Sequence, residues 1–467
     1  MSALPQPWDY LILTAANQRH AQAYTEELRL RCELGRLPQV RQSLVVPDLQ
    51  DRRMGSGGST LLCLAEVLQR QAEAGGRDAE RAQEVFRGKR ILIVHGGGDS
   101  RRLPAYSAIG KIFTPLPEDA VSSALPLTLF DRLVPRLLSL PFPGPQAGQI
   151  VVATGDALIE FDPAALDLAP GGISVLGAHA SAEEAAGHGV CCVAAHRELR
   201  LYLQKPSPER QREAGALDRQ GRSALDLGVM SFDAATALQL LRIFHSGGDQ
   251  PGVAVRWDCA ARDAMLAHGI DLYREISCAL GSDASLEHYV RTVRASGSTI
   301  GPDLLGDWFA ALSRIPVCVQ LVEPCRFLHF GTTRQLISSG RAVSRESSQA
   351  NGLVIVNCEI TAAVEEKGSD AWLEACRVRA PLRLAGQNVA IGLDVAAPLE
   401  FPAGACLDVT PGMSRSGRLV FFIRCGGVDD DFKKSLDAGA TFCGMALENW
   451  MQSAGALPEE VWPSDIA

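Results

Sequence analysis

Apolar and polar positions follow two different rhythms along this chain, and the change falls near Arg345. Before it, short continuous runs rich in Val, Ile and Leu recur: Tyr10–Thr14, Ile91–Val94, Gln149–Thr154, Ile173–Leu176, Val190–Ala194 and Leu225–Ser231. Uninterrupted β-branched runs of this length predict strands covered on both faces. Helical spacing lies between several of them, at Gln18–Cys32, Pro126–Leu140 and Ala234–Phe244. Strands alternating with helices predict an α/β fold with a mainly parallel, doubly wound sheet.

Beyond Arg345 the helical period is lost. From Leu353 to Pro411 apolar residues recur every five or six positions, at Leu373, Val378, Leu384, Val389 and Val395. That spacing predicts hexapeptide-like rungs of a parallel β-helix, with a plain β-sandwich as the alternative. Residues 433–462 return to helical character. The division expected is therefore 1–345 for the α/β domain and 346–467 for the β-helix domain with its helical tail. A chain of 467 residues is long enough to bury two cores.

Composition narrows the function. The net charge is −9 and there is no basic run, so neither nucleic acid nor a membrane surface is expected as a partner. Thirteen Cys residues are scattered, with no C-x-x-C spacing, which argues against a zinc site and for free thiols in a reducing compartment. No secretory signal is read in Met1–Asp9 and no apolar stretch approaches the ~18 residues of a span, so a cytoplasmic location is expected.

An acidic chain that binds anions needs its cations concentrated, and one segment concentrates them. His95–Lys111 reads HGGGDSRRLPAYSAIGK directly after the Ile91–Val94 run. Gly96, Gly97 and Gly98 permit a tight bend and a close backbone approach to a ligand. Successive N–H groups in such a turn form an anion-binding concavity, to which Ser100 is added. Arg101 and Arg102 follow, then Lys111. Guanidinium pairs bidentately with phosphate, and lysine supplies a mobile point charge. A P-loop is excluded because Ile112 follows Gly110-Lys111, and a dinucleotide fingerprint because Arg101 fills the third glycine position. An ordinary glycine turn with solvated arginines is the bland alternative.

Other candidates sit at predicted strand ends and turns. Asp156 closes the Gln149–Thr154 run, where open α/β sheets bind ligands, and Mg²⁺ prefers one or two carboxylates plus phosphate oxygens. Asp271 is the candidate second metal ligand, and Asp226 is assigned to a sugar pocket. His188 and Gly189, in the turn Gly187–Gly189, suit contact with sugar hydroxyls. Gly57, Gly58 and Ser59 open an apolar helix at Leu61–Leu68, where N–H groups would favour an anion. That turn also faintly resembles the phosphate loop of sugar kinases; a simple capping loop is its alternative.

The segment around Gly96–Lys111 resembles the G-x-G-x-R-x-x-P…K signature of sugar-1-phosphate nucleotidyltransferases. The whole chain is similar to the GDP-fucose pyrophosphorylase family, which in many bacteria and plants is fused to a fucokinase. The resemblance extends to WDYLILTAAN (Trp8–Asn17), RMGSGGST (Arg53–Thr60), ATGD (Ala153–Asp156), GHGV (Gly187–Val190), LQKPS (Leu203–Ser207), LDLGV (Leu225–Val229), IDLYREI (Ile270–Ile276), HFGTTRQLISS (His329–Ser339) and GVDDDFKKS (Gly427–Ser435). It implies a Rossmann-like nucleotidyltransferase domain followed by a left-handed parallel β-helix. It also implies transfer of a guanylyl group from GTP to L-fucose 1-phosphate, with Mg²⁺ on Asp156. Arg102 and Lys111 would stabilise charge on the reacting phosphates, and Lys205 would orient the sugar phosphate. His329–Thr333 is read as largely structural. No kinase half follows in this sequence, so no fucokinase activity is expected, and the β-helix is expected to serve domain packing or self-association. A different sugar 1-phosphate, a sugar kinase and a non-catalytic nucleotide-sugar binder remain as alternatives.

Overall fold

The computed structural model describes residues 6–75, 85–96, 98, 100–117, 125–168, 171–244, 259–344, 352–367, 370–434 and 438–462. Contacts group the chain into two units. The first comprises residues 1–98, 133–155 and 159–327, and the second 99–132, 156–158 and 328–467. This grouping cuts across a simple division at residue 345, because two internal stretches cluster with the C-terminal part.

The first unit is built on one sheet. Its strands are β1 (Trp8–Ala15), β2 (Val40–Pro47), β3 (Arg90–His95), β4 (Gln149–Thr154), then, after β5 (Ala157–Glu160), which lies outside it, β6 (Ile173–Ser181), β7 (Gly189–Val193), β8 (Leu199–Gln204), β9 (Arg222–Phe232) and β10 (Val317–Leu321). The order is β10-β6-β9-β4-β3-β1-β2, with β7 and β8 attached through β9. The β4-β3-β1-β2 half is parallel throughout. β9 runs antiparallel to both β4 and β6, so the sheet is mixed. The apolar runs are covered as expected: every residue from Ile91 to Val94 and from Ile150 to Ala153 is buried. Helices Gln18–Glu33 and Gly55–Gly75 occupy the crossovers from β1 to β2 and from β2 to β3. The chain leaves β1 toward β2 on one side and returns to β3 on the other. The ends of β1 and β3 therefore form a topological switch point, where α/β sheets bind ligands.

In the second unit, short parallel strands stack in three sheets, as a β-helix requires. After β11 (Arg326–His329) come β12 (Leu353–Val356), β13 (Glu359–Ile360), β14 (Val364–Glu366), β15 (Ala371–Glu374), β16 (Arg377–Val378), β17 (Leu382–Leu384), β18 (Val389–Ile391), β19 (Asp394–Val395), β20 (Leu399–Phe401), β21 (Ala405–Met413) and β22 (Leu419–Gly427). The parallel stacks are β12-β15-β18-β21, β13-β16-β19 and β14-β17-β20. Leu353 pairs with Ala371 and Trp372 with Val389, so one coil takes 18 or 17 residues, three hexapeptides. Leu373, Val378, Leu384, Val389 and Val395 are all buried, one on each of five successive strands. The antiparallel hairpin β21–β22 closes the first stack.

The core of this unit draws on separated stretches. Leu103, Tyr106, Leu116, Leu129 and Leu158 pack with Phe330, Leu336, Val354, Trp372 and Val389. Glu374, buried at the end of β15, accepts hydrogen bonds from Tyr106 Oη and from Trp372 Nε1 (3.0 Å). No helix among the described residues is long and apolar enough to cross a membrane.

Candidate functional site

Two of the predicted functional turns are crossing points between the units. Gly98 ends a stretch of the first unit and the second resumes at residue 99; likewise Gly155 belongs to the first and Asp156 to the second. In both places the buried strand, β3 or β4, belongs to one unit and the charged residues after it belong to the other.

In the first unit, Gly96 stands where only glycine fits. A Cβ there would lie 2.6 Å from Thr14 O and 2.7 Å from the Tyr24 ring. Tyr24 Oη donates to Gly96 O at 3.3 Å. His95, at the end of β3, lies 3.3 Å from Thr14 Oγ1 and 3.2 Å from Thr60 Oγ1, so one imidazole joins two strands to the Gly55–Gly75 helix. Gly98 faces the Arg53 guanidinium, 3.3 Å from where its Cβ would be. Gly97 lies outside the described residues.

The Gly-Ser segment corrects an expectation. The helix begins at Gly55 rather than Leu61, and the N–H groups of Gly57 and Gly58 donate to Ile270 O at 2.8 and 3.1 Å. They are therefore not offered to an anion. A Cβ on Gly55 would fall 2.4 Å from Ile270 O, and one on Gly57 3.0 Å from it. Ser59 Oγ donates to Asp48 Oδ1 at 2.7 Å, and Ser56 Oγ accepts from Leu272 N at 2.8 Å. Burial pushes the Asp48 carboxyl up to about 6, against the pull of Ser59 and the Met54 N–H. The glycines thus allow close packing of the Ile270–Leu272 turn, and that turn presents Asp271. Asp271 Oδ1 caps the following turn, accepting from the N–H groups of Tyr273 (2.9 Å) and Arg274 (3.0 Å).

The sugar-pocket candidates form a second cluster in the same unit. Asp226 is buried in β9, with Oδ2 accepting from Tyr202 Oη at 2.7 Å and Oδ1 from Gly228 N at 2.8 Å. Burial raises its carboxyl to about 6, although both hydrogen bonds oppose the shift. Gly189 packs on this pair: a Cβ would meet Tyr202 Oη at 1.9 Å. Gly187, by contrast, faces open space. The His188 ring stands edge-on to Phe327 at 5.2 Å. Lys205 follows β8 with a φ of 49°, and its N–H donates to His188 O at 3.0 Å. Its side chain is exposed and has no carboxylate partner among the described residues.

In the second unit, Lys111 is buried in a 3₁₀ turn. Its ammonium donates to Gly331 O at 2.7 Å and lies 3.7 Å from Asp156 Oδ2. His329 Nε2 lies 3.3 Å from the same carboxylate oxygen. Phe330 N donates to Asp156 O at 2.7 Å, so the His329–Gly331 turn holds Asp156 by backbone as well. A Cβ on Gly331 would fall 2.4 Å from His329 Cε1, so glycine lets the imidazole lie over the turn. His329 was read from sequence as structural; the structure puts it beside two of the predicted site residues. Ser100 has a φ of 52°, and Arg102 O accepts from Thr333 N at 2.9 Å. Among the described residues, the buried Ser100 Oγ and Arg102 Nε have no hydrogen-bond partner. Arg101 is exposed. A cavity of about 360 Å³ is lined by Pro104, Ala105, Asp408, Arg424 and Phe432 among others; none of the predicted site residues lines it.

The sequence matches the fucose pyrophosphorylase domain family over residues 83–466. The chain belongs to that family. It is 27% identical over 98% of its length to a bifunctional fucokinase/GDP-fucose pyrophosphorylase of Arabidopsis thaliana, and covers 46% of that protein. It is 24% identical to a fucose-1-phosphate guanylyltransferase of Mus musculus, over 92% of this chain and 75% of the other. The chain thus spans less than half the length of its bifunctional plant relative. A solved structure described as a mannose-1-phosphate geranyltransferase from Thermus thermophilus aligns over 89% of this chain and 95% of its own, at 12% identity and a TM-score of 0.25.

Proposed function

We propose that this chain transfers a guanylyl group from GTP to L-fucose 1-phosphate, releasing pyrophosphate and forming GDP-L-fucose. The family match and the names of the relatives support the base and the sugar. The observation that carries the chemistry is the set of donors after β3. Ser100 Oγ and Arg102 Nε are buried and unpartnered among the described residues, and the Lys111 ammonium is held in the same unit beside Asp156. Unpartnered buried donors cost free energy unless a ligand meets them, and phosphate oxygens are the acceptors that suit them.

The nucleophile is a sugar-phosphate oxygen already ionised at neutral pH, so no general base is required. It attacks the α-phosphorus, the bond to the bridging oxygen breaks, and the electron pair leaves on pyrophosphate. Catalysis is then positioning and charge neutralisation. Arg102 and Lys111 stabilise the oxygens that gain charge, the backbone at Gly96–Gly98 holds the nucleotide, and Lys205 orients the incoming phosphate. His188, Gly189 and Asp226 shape the sugar side.

Among the described residues no three metal-ligating side chains cluster. The donors therefore fit Mg²⁺ that arrives with phosphate oxygens and takes one or two carboxylates, and do not fit a closed protein cage. Asp156 would be its carboxylate ligand, and it would supply positive charge to the phosphate oxygens. The faint kinase resemblance loses its support, since Gly57 and Gly58 donate to Ile270 O. A pyrophosphate-release assay crossing four nucleoside triphosphates with a panel of sugar 1-phosphates, with and without Mg²⁺, tests the proposal. Turnover is expected with GTP and L-fucose 1-phosphate; release of a nucleoside diphosphate instead of pyrophosphate would overturn it.

A further inference from the structure

The outer part of the hairpin β21–β22, residues 409–423, carries one face with no polar side chain. Its pairing sets Val409 opposite Ile423, Pro411 opposite Phe421 and Met413 opposite Leu419. Directly opposed residues in an antiparallel pair point to the same side, and alternate residues to opposite sides. One face is therefore Val409, Pro411, Met413, Leu419, Phe421 and Ile423. The other carries Asp408, Thr410, Gly412, Val420, Phe422 and Arg424: Arg424 pairs with Asp408, and Phe422, 51% exposed, lies over Gly412, 2.7 Å from where its Cβ would be.

The apolar face is in water. Met413 is 62% exposed, Leu419 69%, Phe421 64% and Ile423 70%. Apart from Phe422 on the other face of the hairpin, large exposed apolar side chains elsewhere among the described residues are scattered or sit in the C-terminal tail. Four side chains of this size at such fractions leave roughly 500 Å² of contiguous apolar surface, near the upper end of what a monomer shows. β22 is also the last strand of its sheet, so its outer backbone edge is unpaired among the described residues.

We propose that this face is a dimer interface and that its occupant is a second copy of this chain. The face has no charge to be matched by a partner of opposite sign, and it is its own complement under a two-fold axis. Doubled across that axis and extended by Pro411, the area reaches roughly 1,100 Å², the low end of specific interfaces, where reversible ones lie. A reversible, concentration-dependent dimer follows. The proposal does not depend on which substrate the catalytic residues serve.

Sedimentation velocity of the full chain from about 1 to 100 µM tests it. The weight-average mass should rise from the monomer's 49.9 kDa toward twice that value. Phe421→Asp and Ile423→Asp each place a charge at the centre of the face and should weaken dimerisation roughly a hundredfold or more. Val420→Thr, on the opposite face of the same strand, should leave it unchanged. Phe421→Thr and Ile423→Thr keep the strand preference and should weaken it by a smaller factor, so the reading survives if an aspartate variant fails to fold. A wild-type chain that stays monomeric throughout overturns the proposal, including one that instead sediments with lipid vesicles. So does a folded Phe421→Asp variant that dimerises as the wild type does.

Discussion

Gly189→Ala is a one-carbon change whose cost can be worked from the structure. Gly189 pairs with Gln204 between β7 and β8, and the new Cβ would lie 1.9 Å from Tyr202 Oη, 2.6 Å from its Cζ and 3.2 Å from Asp226 Cβ. Tyr202 is buried, so its ring has no solvent to move into. Displacing it breaks the 2.7 Å bond to Asp226 and leaves a buried carboxylate with the Gly228 N–H as its remaining donor. A hydrogen bond to a charged group is worth about 1.5–3 kcal/mol, and overpacking a filled site costs about 1–3 kcal/mol. The expected loss is therefore about 3–5 kcal/mol, read as a lower urea midpoint at unchanged slope. Tyr202→Phe alone should lose only the hydrogen-bond part, about 2 kcal/mol. In the double variant that bond is lost once, so the two penalties should fall short of additivity by about the same amount. Strict additivity, or a Gly189→Ala variant within about 0.5 kcal/mol of wild type, would show that Gly189 does not position Tyr202 on Asp226.

Three further outcomes are expected. Because burial holds Asp226 near pH 6, above its ordinary 3.8, the folded chain binds that proton more tightly than the unfolded chain. Its contribution to stability therefore rises as pH falls from about 6 toward 4; Asp226→Asn should gain about 2 kcal/mol on wild type between pH 4.5 and pH 7.5, and a pH-independent difference would refute the linkage. Lys111→Met keeps the buried volume while removing the charge, and should lower turnover ~10²–10³-fold with the far-ultraviolet dichroism preserved, as Asp156→Asn should abolish Mg²⁺-dependent turnover; near wild-type rates would remove these residues from the mechanism. Gly340→Ala puts a Cβ 2.3 Å from the buried Trp372 ring. It should destabilise the fluorescence-detected transition by an overpacking cost of about 1–3 kcal/mol, and an unchanged transition would show that the Thr333–Ser344 helix does not pack on Trp372.

How much of this was legible from the sequence depended on how local each signal is. Gln149–Thr154 is a strand with the predicted bounds, and Ile91–Val94 lies within β3, because continuous burial on both faces is written in consecutive residues. The same runs carry no direction, so the antiparallel course of β9 could not be read from Leu225–Ser231. β2 went unread because none of its residues is fully buried and its apolar run is short, Leu44–Val46 before Pro47. The β-helix was legible because its period is local and repeats at 17 or 18 residues. His329 was missed for the opposite reason: its partner Asp156 is far away in sequence, and a His-Phe-Gly turn before a helix looks the same whether or not a carboxylate meets it. The misassigned Gly57 and Gly58 share this cause, since their acceptor, Ile270 O, is equally remote.

The β-helix does not behave as a detachable module in this structure, and that has a consequence for Lys111. The Ser100–Phe113 segment folds against residues from beyond 345: Leu103 and Tyr106 share a core with Val354, Val356, Trp372 and Val389. Tyr106 donates to Glu374, whose carboxyl burial has raised, and Arg424 donates to Ser107 Oγ at 2.7 Å and to Ala105 O at 3.2 Å. A chain cut at 345 would keep every predicted catalytic residue in its sequence yet uncover the apolar side of the segment that holds Arg102 and Lys111, the second beside Asp156. Uncovering two large buried side chains such as Leu103 and Tyr106 costs about 1.5–3 kcal/mol each, enough to favour local opening over the native turn. Limited proteolysis separates this outcome from simple loss of a surface. Trypsin should cut after Arg101 or Arg102 in the 1–345 chain and leave that site intact in the full one, while β1, β3 and β4, one face of which packs in a core within the first unit, remain protected in both. A truncated chain that protects Arg102 and retains full pyrophosphate release would mean that the turn is held by the first unit alone.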